Sequence, residues 1–100
     1  MEEFRILISP AAQSDLLDIA IHLSNQDPEE EDRYYELITE KVRSLARSPD
    51  SFPPARDMQL RLRGYRMLSV EKYIIFFVVK DRTVELRRIL YARRQYERLI

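Results

Sequence analysis

Cysteine is absent from this chain of 100 residues. Its absence excludes a disulfide framework, a thiolate nucleophile and a cysteine-ligated zinc site together. Long hydrophobic runs are missing too: the longest, Tyr73 to Val79, is too short to cross a bilayer. The opening Met1-Glu2-Glu3 is acidic, unlike the basic start of a secretory signal. A cytoplasmic protein that does not engage a membrane is therefore the expectation. There is no internal repeat and no low-complexity tract. Histidine occurs once, at His22, and residues 61–100 contain none.

What is present fits one soluble globular domain spanning residues 1–100, with 45% apolar and 34% charged residues. The formal net charge of zero conceals an asymmetry. Residues 1–60 carry 13 acidic and 6 basic side chains, whereas residues 61–100 carry 4 acidic and 11 basic. Fourteen of the 17 basic residues are arginine, whose planar fork suits phosphates and carboxylates. Such a C-terminal half suits a polyanion or an acidic partner protein. It also suits basic strands pairing with the acidic helices of the same domain, and the two readings are compatible.

Phe4, Ile6 and Ile8 alternate with Arg5 and Leu7, the pattern of a first strand. Ser9-Pro10 then opens a helix, with Ser9 as cap and proline at the first helical position. Ala12, Leu16, Ile19 and Leu23 form its apolar stripe. Asn25-Gln26 ends it, and Asp27-Pro28-Glu29-Glu30 starts a second helix with an acidic first turn. Tyr34, Leu37, Ile38, Val42 and Leu45 make the second stripe, stopped by Ser48-Pro49. Beyond a proline-containing loop the period falls from 3.6 to 2. Leu60 to Ser69 reads as a strand broken near Gly64, Tyr73 to Val79 as a central strand and Thr83 to Leu90 as the last, with turns at Glu71-Lys72 and Asp81-Arg82. An arginine-rich tail follows, with helical potential from Tyr91 to Ile100. The expected fold is α+β, in the order β-α-α-β-β-β: an N-terminal strand and helix hairpin packed on one face of an antiparallel sheet, with the other face open for function.

Arg88 disturbs the last strand. Strict alternation puts it on one face with Val84, Leu86 and Leu90, where an arginine is misplaced. Either a bulge re-aims it, or that face is a shallow groove; it either serves a site or pairs with an acidic residue on a helix.

Several segments together resemble the RelE/ParE superfamily of type II toxin–antitoxin toxins. They are Ser9-Pro10-Ala11-Ala12 with Asp15-Leu16 and Ile19; Leu45 with Ser48-Pro49; Gly64-Tyr65-Arg66 with Leu68; Tyr73-Ile74-Ile75-Phe76-Phe77; and Arg87 to Arg94 ending in Gln95-Tyr96. The resemblance runs through nearly the whole chain in the right order. It implies a growth-inhibiting toxin without cofactor or metal, neutralised by a cognate antitoxin encoded beside it. An acidic, initially disordered antitoxin segment would fold onto the basic half. The helix hairpin is a candidate surface for a homodimer.

The superfamily divides by mechanism. RelE-like members cut mRNA in the ribosome; ParE-like members poison DNA gyrase. Metal-independent RNA cleavage must deprotonate a 2′-hydroxyl, stabilise the phosphorane and protonate the leaving oxygen. By resemblance Arg66, Arg93 and Arg94 would stabilise charge and Tyr96 would move protons. Lysines found in RelE-like loops are replaced by Arg56, Arg61 and Arg63 beside Asp57, and arginine is a poor general base. Tyr91 stands where many relatives carry histidine. His22 on the first helix reads as an exposed residue on a polar face beside Asp18 and Asp15. The tail Arg93-Arg94-Gln95-Tyr96 resembles ParE-like tails, apart from Gln95 in a place often acidic. The leading expectation is a ParE-like toxin that binds DNA gyrase through Arg88, Tyr91, Arg93, Arg94 and Tyr96. The alternative is a ribosome-dependent endoribonuclease.

Overall fold

The computed structural model describes residues 3–93. Strand β1 (Arg5–Ile8) leads into helices α1 (Pro10–Gln26) and α2 (Pro28–Arg47). After a 3-10 turn at Pro49–Ser51 come the short helix α3 (Met58–Leu62) and strands β2 (Arg66–Val70), β3 (Tyr73–Lys80) and β4 (Thr83–Tyr91).

Local chemistry sets the helix ends. The Ser9 hydroxyl accepts the Ala12 N–H at 3.1 Å, with Pro10 inside the first turn. Asp27 alone separates the two long helices. Pro28 disfavours helical backbone at the residue before it, and Asp27 is extended at φ −161°. Its N–H closes α1 on the Leu23 carbonyl, while its carboxylate accepts the Glu29 N–H at 3.0 Å to open α2. Glu29, Glu30 and Glu31 then face the positive end of the α2 dipole. So tight a junction folds the helices into the expected hairpin.

The sheet order is β1-β4-β3-β2. β2, β3 and β4 form the antiparallel meander read from the sequence, whereas β1 joins parallel to β4, so the sheet is mixed. The hairpin covers one face and buries Ala12, Ile19, Leu23, Tyr34 and Leu45 against Ile75, Phe77, Val84 and Leu86. Burying each large apolar side chain contributes roughly 1.5–3 kcal/mol.

The reverse face departs from expectation. It is not left open, because the segment before β2 folds over it and buries Ala55, Leu60 and Tyr65 against Met67, Ile74, Phe76 and Leu90. Phe76 and Phe77 are both fully buried, one in each core. That explains the nearly continuous apolar character of β3.

The stretch expected as strand from Leu60 is instead α3 followed by a turn. Asp57 accepts the Leu60 N–H at 3.0 Å and starts the helix. The chain's single glycine stops it: Gly64 sits at φ +84°, with Tyr65 N–H on the Leu60 carbonyl and Gly64 N–H on the Arg61 carbonyl, both at 3.0 Å. This is a Schellman closure, and its apolar partners Leu60 and Tyr65 lie in the same core. The space around a Cβ at Gly64 is empty to 4 Å, so only backbone conformation resists a side chain there. Gly64→Ala is therefore expected to destabilise the fold by about 1 kcal/mol, the cost of left-handed backbone less the entropy regained in the unfolded chain. Urea titration checks it: the midpoint should fall with an unchanged m-value.

Candidate functional site

β1 covers the edge of β4 only from Thr83 to Leu86. At that point the ladder with β3 slips: Phe77 faces Leu86 and Phe76 faces Arg88, leaving Arg87 as an extra, bulged residue. The bulge reverses the alternation. Val84 and Leu86 point to the helix core, yet so does Ile89, while Leu90 joins the reverse core.

The start of α1 grips this irregular stretch. Ser9 N–H donates to the Leu86 carbonyl at 3.0 Å, and its hydroxyl donates to the Arg87 carbonyl at 2.9 Å. Six residues further on, the buried Asp15 carboxylate accepts the Ile89 N–H at 2.9 Å. It also accepts Arg88 Nε at 2.8 Å and Nη2 at 3.0 Å. Arg88 thus makes the helix ion pair, and the bulge is present as well. Its side chain is 22% exposed, and the bond to Asp15 raises its pKa further above the ordinary arginine value. Sequence reasoning missed Asp15, treating it as part of a polar face. The signal was its place at three residues after Ala12 and four before Ile19, on the buried stripe.

At the end of β4 lies a cleft of about 920 Å³ between α1, the start of α2 and the β2–β3 turn. Tyr91 borders it, with Tyr73, Tyr34 and His22. The three tyrosines pack edge to face: Tyr34–Tyr73 centroids are 5.6 Å apart and Tyr73–Tyr91 5.8 Å. Burial raises the Tyr34 and Tyr73 phenol pKa values. At the rim Arg33 bridges Glu30 at 2.8 Å and Glu71 at 2.7 Å. Hydrogen bonding to Arg33 holds the Glu71 carboxyl at about 2, and that to Glu71 and Glu30 raises the Arg33 pKa. Arg93 is exposed two residues beyond Tyr91, and Arg94 and Tyr96 lie outside the described residues.

Arg66 does not join this end. It stands opposite Phe77, whereas Tyr91 stands opposite Tyr73, four residues along the same strand. Its guanidinium donates to the Phe52 carbonyl at 2.7 Å and lies 3.9 Å from Asp50, tying down the loop after α2.

A second, apolar groove of about 760 Å³ runs between α1, α2 and β1. Ile8, Leu16, Leu17, Ile38 and Val42 line it, with Glu31 and Asp32 at the rim. Leu17 and Tyr35 stand exposed beside it. No helix among the described residues is long and apolar enough to cross a membrane.

Removing Asp15 takes away one carboxylate that accepts from both the Arg88 guanidinium and the Ile89 N–H. Asp15→Ala is expected to lower stability by about 3 kcal/mol and Arg88→Met by about 2 kcal/mol, with a double variant recovering part of the sum; a denaturation cycle measures the coupling. Strict additivity would show that the two side chains act independently. Glu71 gives a pH signature. Its folded pKa of about 2 lies below the ordinary 4.5, so its stabilisation is complete above the unfolded value and disappears as pH falls through the folded one. Arg33→Ala should therefore lower the urea midpoint at pH 7, with the difference from the parent shrinking between about pH 4.5 and 2.

A family model described as the ParE toxin of type II toxin–antitoxin system, parDE, matches residues 6–96. Among solved structures, the chromosomal ParDE toxin–antitoxin system of P. aeruginosa aligns with a TM-score of 0.73 at 22% identity, covering 88% of this chain and 95% of that one. The toxin–antitoxin complex RelBE2 of Mycobacterium tuberculosis aligns with a TM-score of 0.63 at 19% identity, covering 91% and 93%. Such identities speak for the fold. No curated protein matches the chain.

Proposed function

The chain belongs to the ParE toxin family of type II toxin–antitoxin systems, and from that premise we propose that it arrests growth by binding DNA gyrase until a cognate antitoxin neutralises it. The observation that carries the choice of target is the fate of Arg66. A nuclease of this fold would need Arg66 converging with Arg93, Arg94 and Tyr96 on one phosphate. Here Arg66 is committed to the Phe52 carbonyl, and its register is four residues removed from the strand end that leads to Arg93. An Arg66 engaged with the loop after α2 is drawn away from a phosphorane, whereas protein binding needs no such convergence.

In this reading the strand end is the grip. Tyr91 and Tyr96 are amphipathic anchors, and Arg93 and Arg94 make charge-assisted bonds to target carboxylates. Arg88 contributes by positioning: bonded to Asp15, it holds the last residues of β4 where Tyr91 can project. The antitoxin lays an apolar helical face in the groove of Ile8, Leu16, Leu17, Ile38 and Val42 and passes an acidic stretch towards the exposed arginines of the C-terminal half. The solved neighbours, being toxin–antitoxin complexes, support an antitoxin partner.

Purified toxin is expected to inhibit gyrase supercoiling or to trap gyrase on cleaved DNA, with activity restored by the antitoxin. Arg93→Ala combined with Arg94→Ala should reduce inhibition at least tenfold. An inert toxin in molar excess, together with new cuts near codon boundaries in translated mRNA, would replace this reading with ribosome-dependent cleavage by a RelE-like endoribonuclease.

A further inference from the structure

Helix α3 is five residues long and buries one of them, Leu60. Met58 and Leu62, one turn apart, share its outer face and are 64% and 79% exposed. So short a helix does not persist alone. This one is fixed at both ends, by the Asp57 cap and by the closure at Gly64. The flanking backbone is pinned as well, through Ala55 N–H on the Tyr65 carbonyl at 2.9 Å and Met67 N–H on the Pro53 carbonyl at 3.0 Å. Two bare apolar side chains are thus presented on a rigid platform, where little ordering entropy remains to be lost on docking.

The surroundings identify what docks. Arg56, Arg61 and Arg63 are exposed around the pair, and Arg56 and Arg61 form no ion pair among the described residues. From residue 49 to residue 71 the only basic residue type is arginine. Apolar anchors, a methionine that adapts its shape and a ring of arginine without lysine are the composition of a protein-binding surface. A single-stranded nucleic acid would require an open aromatic platform. The aromatic residue here, Tyr65, is 4% exposed, with Arg63 5.4 Å and Arg87 5.9 Å from its ring centre. We infer that α3 is a second contact with the target, received by an acidic protein surface with a shallow apolar recess. The inference rests on the proposed protein-binding mode of toxicity and adds a site that none of the strand-end residues supplies.

The test uses the full chain carrying Met58→Ser with Leu62→Ser, and separately Leu62→Glu, a change at a site too exposed to disturb folding. Growth arrest on induction, antitoxin capture, thermal melting and gyrase supercoiling are compared with the parent. Both variants should lose growth arrest and show at least tenfold weaker gyrase inhibition, with melting and antitoxin capture unchanged. Undiminished growth arrest by Leu62→Glu overturns the inference even if the parent inhibits gyrase. Loss of growth arrest when the parent leaves gyrase untouched keeps the docking surface and discards gyrase as its partner. Conversion of a parental dimer to a monomer overturns it by making α3 a contact between copies, and loss of mRNA cleavage or RNA binding overturns it by making the partner a nucleic acid.

Discussion

Past Leu86 the last strand has no strand partner on its outer side among the described residues, and its outward N–H groups need an acceptor inside a largely apolar setting. Asp15 supplies one. A carboxylate so enclosed needs positive charge in return, and Arg88 provides it from the same strand. The pair stitches α1 to β4 at the place where pairing with β1 stops, and Ser9 reinforces it six residues earlier. The position of the helix hairpin on the sheet and the shape of the cleft beside Tyr91 depend on this junction.

The bulge at Arg87 is the geometric partner of that junction. By inserting one residue it turns Ile89 toward the helices and Leu90 toward the reverse core. Without it, Arg88 would replace Ile89 under the hairpin and leave a charge among Leu86, Phe77 and Ile75. With both faces then covered, one by the hairpin and the other by the segment around α3, binding surfaces are displaced to the margins. Those proposed here are the strand end, the groove between the helices and the outside of α3.

Much of this architecture was legible because its signals are local. Ser9-Pro10 and Asp27-Pro28 mark helix starts through backbone sterics and capping, and the turns at Glu71 and Asp81 separate runs of β-branched and aromatic residues. α3 was misread because Leu60-Arg61-Leu62-Arg63 has the period of a strand. Its helical state is decided by the Asp57 cap, by Gly64 and by contacts that Leu60 makes only in the folded core. Arg88 was recognisable as a misfit in an apolar strand. Its partner went unseen because Asp15 was judged against the charged residues beside it on α1, although it shares the stripe of Ala12 and Ile19. Two polar residues in apolar patterns, each unexplained alone, explain one another. The strand-end arginines were legible as charge but not as geometry, since whether Arg66 shares their site is decided by strand register.

The opposed charges of the two halves resolve in the same way. Some are satisfied across the fold, through Arg88 with Asp15 and Arg33 with Glu71. Others stay outward: Glu31, Asp32 and Arg43 border the apolar groove, whereas Arg56, Arg61 and Arg63 surround α3. A mixed-charge apolar groove and a cationic patch on one small domain suit different partner chemistries on different sides. Under the proposed function, an antitoxin seated between the helices need not cover the surface that meets the target. An acidic stretch continuing from that groove to the cationic side would screen the arginines on which target capture relies, so neutralisation would act through competition for charge as well as through occupied area. Arginine suits such a surface because its guanidinium stays ionised and its weak hydration makes repeated exchange between carboxylate partners inexpensive.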